Sequence, residues 1–477
     1  MSIRWYTYAA CSEKALPPTS TLSEVEDRAF RALKDSIAIG AYYDLKEPTS
    51  SECQDGTRVH QIKTLTNWIK ANEETKPLFV VLGPAGSGKS SLLRTIARIC
   101  EEEKCLAASF FFSGTDPSRN ATGQLMNTIA YQIAEAIPEL RPYVARSVHA
   151  KPTILTRSLE LQTQELLLEP LNQLRSDHPD FSLNLHPRVV VIDALDECLG
   201  LDDQLRIISA LAKVLAHESF PFLCMLSSRY NLHIEQNLTF KLTPQIYGKV
   251  ILGRDVSHER ADVRTYLRAK IDRIRDEHAF GTRIPLGWPT ESDLEPIVKK
   301  SGAQFIYAST VIKYIESPDY NPYERLQYIL DISTTNFGPD LYAELDALYR
   351  ALMSLLKPEN LTAAIEILGI ELVRSNSQFW IPSALRYYFD FKGHFCSLDA
   401  DVVLAPLASV LKCHNGHIKF YHLSFAEFLL DPNRSGKYFV QPMKWQKWIT
   451  SRLVPHFYNI GCKLITVLVC DYLNLLW

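Results

Sequence analysis

Apolar residues cluster along this chain in short, nearly unbroken runs. These are LFVVLG from Leu78, LAASFFFS from Leu106, RVVVID ending at Asp193 and FLCMLSSR ending at Arg229. Between the runs the spacing turns helical. Ile62, Leu65, Trp68 and Ile69 share one face ahead of the first run, and Leu92, Leu93, Ile96, Ala97 and Cys100 share one behind it. Leu125, Ile129, Ile133 and Ile137 recur every fourth residue, a helix is expected from Leu159 to Leu174, and Leu205, Ile208, Leu211, Ala212 and Leu215 mark another. Strands with no polar alternation are buried on both faces, and strands that alternate with helices pair in parallel through crossovers. The pattern therefore predicts an α/β fold, a parallel sheet covered on both faces.

That domain is expected over 59–245. Residues 1–58 read as a partly disordered lead segment with one periodic stretch near Leu22 to Leu33. Residues 246–345 turn mainly helical, with joints near Pro285, Pro289, Pro318 and Pro322. In 346–440, LAPLASVLKCHNGHIKFYHLSFAEFLL holds two apolar segments across Asn415-Gly416, a strong hairpin signal, and then a helix-like run. A hairpin feeding a helix suits a winged-helix-like module. Residues 441–477 carry Trp445 and Trp448 on an amphipathic segment and finish in KLITVLVCDYLNLLW, expected as a packed or truncated end.

At 477 residues the chain exceeds one compact core. A net charge of −3 gives no basic bias, which argues against a nucleic-acid partner. The first residues lack a signal-peptide core, and no apolar stretch reaches the roughly 18 residues of a membrane span. The tail, interrupted by Asp471, also falls short, so a cytosolic protein is expected. Ten cysteines stand singly, without zinc or disulfide-framework spacing, and read as reduced thiols. Cys413, His414 and His417 flank the hairpin turn and lack a second ligand pair for zinc.

The chemistry concentrates where the first strand ends. Gly83-Pro84-Ala85-Gly86-Ser87-Gly88-Lys89-Ser90, with Ser91 after it, matches G-x-x-x-x-G-K-[ST]. Glycines let the backbone approach phosphate oxygens, and successive N–H groups and the helix N-terminus present positive charge. Lys89 adds a point charge, and Ser90 is a ligand for Mg²⁺. Asp193, closing a buried strand, suits the same ion, and Asp196 or Glu197 can orient or deprotonate an attacking water. Arg229, at the end of the next strand, is placed to meet a γ-phosphate.

Together GPAGSGKS, VIDALDEC and SSRYNLHI resemble the Walker A, Walker B and sensor segments of NACHT proteins, a class of STAND signalling NTPases. CQDGTR, SFFFSGTDPSRN, WPTESDLEPIVKKSGAQFIYASTVIKYI and YHLSFAEFLLDPNRSGKYF extend the resemblance to fungal, mushroom-type members over roughly residues 40–440. The resemblance implies a nucleotide domain, a helical domain and a winged-helix domain that close over ADP at rest and open on ATP exchange to oligomerise. It also implies that His422 touches the β-phosphate. Two departures stand out: KKSGAQFIYA has Gly302 but no Gly-x-Pro, and Tyr230 and Asn231 replace the usual Pro-Glu after Arg229. Three functions compete at this level: an ATP- or GTP-operated switch engaging protein partners or further copies of itself, an AAA-type turnover NTPase, and a scaffold that holds nucleotide for structure alone.

Overall fold

The structure, a computed structural model, describes residues 24–44, 52–71, 76–179, 188–242, 246–332, 342–375, 400–414 and 417–444. The Asn415-Gly416 turn, Trp445, Trp448, the apolar tail and Cys11, Cys396, Cys462 and Cys470 lie outside those residues.

Five parallel strands form one sheet in the order β2-β3-β4-β1-β5, where β1 is Leu78–Gly83, β2 Leu106–Phe111, β3 Val189–Asp193, β4 Leu223–Arg229 and β5 Tyr247–Ile251. Every residue of β1, β2 and β3 is buried. Strand periodicity explains why: Val80, Leu82, Ile192 and Leu226 enter the core on one face, while Phe79, Val81, Val191 and Met225 enter the core on the other. The first face is covered by α1 (Glu24–Asp35), α4 (Leu125–Ala136) and α5 (Arg141–Ala150). It also carries α6 (Leu159–Thr163), which passes through a π segment (Gln164–Leu168) into α7 (Glu169–Asp177), and then α8 (Leu201–Leu215) and α9 (Leu232–Lys241). The second face carries α2 (Val59–Lys70) and α3 (Lys89–Glu102).

Two features differ from the expected boundaries. Residues 24–44 belong to the sheet domain: Phe30 stacks on Tyr131 with centroids 5.0 Å apart, and Ala29, Leu33 and Ala41 join the same core. The sheet also runs past residue 245. Its edge strand β5 is short and only partly buried, with Lys249 exposed, so its apolar signal is weak.

The other described residues pack around a second core whose members run from Val263 to Val440. It gathers α10 (Val256–Glu277), α11 (Glu291–Lys300), α12 (Phe305–Ile315), α13 (Pro322–Asp331), α14 (Ala343–Met353) and α15 (Pro358–Ser375). The antiparallel strands β6 (Leu411–His414) and β7 (His417–Phe420) and the helix α16 (Leu423–Leu430) complete it. The segments expected as separate modules, 246–345 and 346–440, thus share one interior. Tyr349 of α14 packs against Phe425 and Phe428 of α16, at 5.0 and 5.3 Å. No helix among the described residues is long and apolar enough to cross a membrane.

Candidate functional site

Parallel strands send their carboxyl ends to one edge of a sheet, and ligands bind in the crevice there. At this edge Gly83 lies in register beside Arg229, and β3 brings Asp193 to the far side of β4. A cavity of about 660 Å³ opens above them, lined by Ala85, Gly86, Gly88, Lys89, Ser90, Ser91, Asp193, Asp196, Glu197, Arg229 and His422, among others.

The loop's geometry depends on Gly86 and Gly88, whose φ of +72° and +87° lie in the left-handed region that glycine enters without strain. Gly88 caps α3 without a side-chain hydrogen bond, so the first-turn N–H groups remain available to an anion. Lys89 Nζ donates to Gly83 O at 2.9 Å and Pro84 O at 3.0 Å, and burial pulls its pKa below the usual lysine value against the opposing pull of Asp196. The Gly83 and Pro84 carbonyls thus hold Lys89 within its own loop, and the Ser87 carbonyl accepts from Arg58.

Asp193 is buried and accepts hydrogen bonds from the Ser227 and Ser90 hydroxyls. Burial nonetheless raises its pKa. Ser90 and Asp193 therefore place two oxygen donors side by side under the loop. That donor set fits Mg²⁺, which takes one or two protein oxygens and fills its remaining positions with phosphate and water.

Ala194, at φ +57°, turns the chain sharply into Leu195–Glu197 and separates the two acids. Asp196 is committed to Arg229: Oδ1 accepts from the backbone N–H at 2.7 Å, and Oδ2 meets Nε at 2.9 Å. Glu197 accepts one bond, from Gly114 N at 2.9 Å, and burial with the neighbouring Asp196 charge pushes its carboxyl up to about 7. Arg229 reaches onward, its Nη1 donating to Glu427 Oε1 at 2.7 Å.

His422 is the N-cap of α16. Its Nδ1 accepts the Ser424 N–H at 3.0 Å and lies 2.8 Å from Ser424 Oγ, which in turn lies 2.8 Å from Tyr349 Oη. Burial, together with Arg229 and Lys89, pushes the imidazole down to about 3. The ring is therefore neutral near pH 7, and with Nδ1 an acceptor its proton sits on Nε2.

Sequence patterns missed Arg58. It is buried at φ +54° and donates to Ser87 O at 2.7 Å, with Nη1 3.3 Å from Glu259 and its guanidinium 5.2 Å from the Phe305 ring centre. One side chain thus joins the phosphate loop to α10 and α12. CQDGTR carried a signal only through the family resemblance. A second tie is the Ile306 N–H donating to Gly86 O at 3.2 Å, where a Cβ on Gly86 would meet Ile306 Cγ2 at 2.2 Å. Gly86→Ala is expected to melt earlier, because the left-handed backbone alone costs about 1–2 kcal/mol before that clash is relieved. An unchanged melting temperature would refute the contact.

Among the described residues no group of three or more His, Cys, Asp or Glu side chains is placed to hold a metal ion, and Cys53, Cys100, Cys105, Cys198, Cys224 and Cys413 are free thiols.

The parallel sheet, the glycine loop after β1 and the acid at the end of β3, across β4, define a P-loop NTPase-like protein. The family described as Nephrocystin 3, N-terminal, matches residues 55–229, less than half of the chain. Among solved structures the chain is similar to the Aeropyrum pernix ORC2 protein, determined as ADPNP-ADP complexes. Identity is 12%, coverage is 86% of this chain and 98% of that one, and the TM-score is 0.36. No curated protein matches the chain.

Proposed function

We propose that this protein is a nucleotide-operated signalling switch of the NACHT/STAND kind, which binds ATP or GTP with Mg²⁺, hydrolyses it slowly and changes conformation to engage protein partners or further copies of itself in the cytosol. The observation that carries this reading is the shared cavity: the sheet edge supplies Lys89, Asp193, Glu197 and Arg229, α12 supplies Phe305, and the hairpin-helix unit supplies His422. A catalytic pocket needs only the first group. Enclosure by the sheet edge on one side and by elements of the second core on the other makes the nucleotide a bond between the two, and a ligand shifts a conformation by its differential affinity for the two states.

In this reading Lys89 and the α3 N-terminus hold phosphates, and Ser90 and Asp193 hold Mg²⁺, which neutralises phosphate charge. Glu197 takes the proton of an attacking water. Asp196 aims Arg229, and the His422 Nε2–H donates to a phosphate oxygen in the closed state. The guanidinium and the imidazole sit on different modules, so opening separates them. Faster AAA-type turnover is the second reading, favoured by a carboxyl that titrates near 7.

Nucleotide released from the purified protein, identified by mass spectrometry, tests the first reading together with hydrodynamic radius in ADP and in a non-hydrolysable triphosphate. Co-purified diphosphate and a larger radius with the triphosphate are expected. No retained nucleotide and one radius in both would reject the switch, and rapid turnover by a monomer would favour the second reading.

A further inference from the structure

Arg229 is held by two carboxylates from two different parts of the molecule. Asp196, on the sheet, is three residues past the end of β3. Glu427, on α16, comes from the hairpin-helix unit, 198 positions along the chain. Asp196 alone orients the guanidinium, gripping both its Nε and the Arg229 backbone N–H. Glu427 adds a second tie: it occupies Nη1, one of the two terminal nitrogens that Asp196 leaves unused.

We propose that Glu427 sets the diphosphate-over-triphosphate preference of this site, its carboxylate filling on Arg229 the place that the terminal phosphate of a nucleoside triphosphate requires. The inference rests on the nucleotide-binding reading above and adds a residue and a direction to it. Arg229 stands in register with Gly83, where the phosphate loop begins, and lines the same cavity as Lys89 and His422, so the three cationic or N–H donors face one space. A guanidinium pairs with carboxylates and with phosphates through the same N–H donors. In the arrangement seen here it is already neutralised by Asp196 and Glu427. A terminal phosphate approaching Arg229 meets the Glu427 carboxylate, and like charges at contact repel. A diphosphate ends short of Arg229 and leaves the pair intact. A triphosphate has to break the Arg229–Glu427 pair, which removes one tie between the sheet edge and α16, the helix that His422 caps. The pair is about one-quarter exposed on the arginine side and one-third on the glutamate side, so water screens it and the discrimination is moderate.

The test uses the full chain with Mg²⁺, stripped of nucleotide, and measures Kd for ADP and for the β,γ-imido analogue of ATP in wild type, Glu427→Gln and the Arg229→Gln, Glu427→Gln double variant. Wild type is expected to prefer ADP. In Glu427→Gln the analogue gains about tenfold, or ~1.4 kcal/mol, while ADP affinity stays within about threefold. The gain vanishes in the double variant, because the arginine that would collect it is gone. Guanosine nucleotides are run alongside, so that base choice is separated from phosphate count. An unchanged ADP-to-analogue ratio, or equal weakening of both ligands, overturns the role of Glu427 while nucleotide binding stands. Wild type that binds neither nucleotide overturns the underlying reading as well. Glu427→Asp, which keeps the charge and shortens the reach, serves if the glutamine variant melts early. It is expected to gain analogue affinity too, and no gain there counts against the proposal.

Discussion

Lys89→Ala is expected to lose nucleotide binding by a factor of about 10² to 10⁴, because charge-assisted bonds to phosphate are worth about 1.5–3 kcal/mol each and the ammonium makes more than one. Fluorescence titration with a labelled nucleotide measures it. The fold should survive, since Lys89 Nζ is held only by the Gly83 and Pro84 carbonyls of its own loop, and the apolar faces of β1 and α3 do not involve it. A matching melting curve with unchanged nucleotide affinity would sink the assignment of the loop as the phosphate site.

Glu197→Gln carries the second large effect. Removing a general base slows hydrolysis by about 10² to 10⁴ and leaves binding in place. In wild type, kcat/KM is expected to rise tenfold per pH unit on the acid side and level off above about 7, where the carboxylate is fully charged. The sign for stability is opposite. A carboxyl raised in the folded state stabilises most below its ordinary pKa, and that contribution is lost as pH rises through about 7. Glu197→Gln should therefore gain on wild type in melting temperature as pH rises from the ordinary carboxyl range to about 7, and the difference should level off above that. A flat rate profile together with a pH-independent melting difference would remove Glu197 from the base position and leave the acid's role to another group.

The sheet was legible because β1, β2, β3 and β4 are buried on both faces and leave no ambiguity of period. The loop was legible because phosphate geometry demands its glycines. Asp193 could be assigned from its place at a strand end, but the division of labour between Asp196 and Glu197 could not. It depends on Ala194 turning left-handed and on Gly114, 83 positions away, supplying an N–H. His422 stands out through family resemblance alone, and its tautomer is set by Ser424, itself held by Tyr349, which no local pattern announces. Arg58 and Glu259 were invisible for a related reason: a buried ion pair between distant segments looks, in sequence, like two surface charges. The separate helical and hairpin modules were drawn at proline joints and a composition change, yet packing across them unites their interiors.

The tie between Gly86 and Ile306 bears on how the protein can be dissected. A fragment cut at residue 245 keeps every residue of the phosphate loop but loses β5 from the sheet edge, the Ile306 N–H from Gly86 O and Glu259 from Arg58. It would expose the flank of β1 and strand a buried guanidinium, so the motif would be present in a piece unable to shape it. The smallest autonomous unit of this machine is therefore set by the reach of Arg58 and Ile306, and it extends at least through α12.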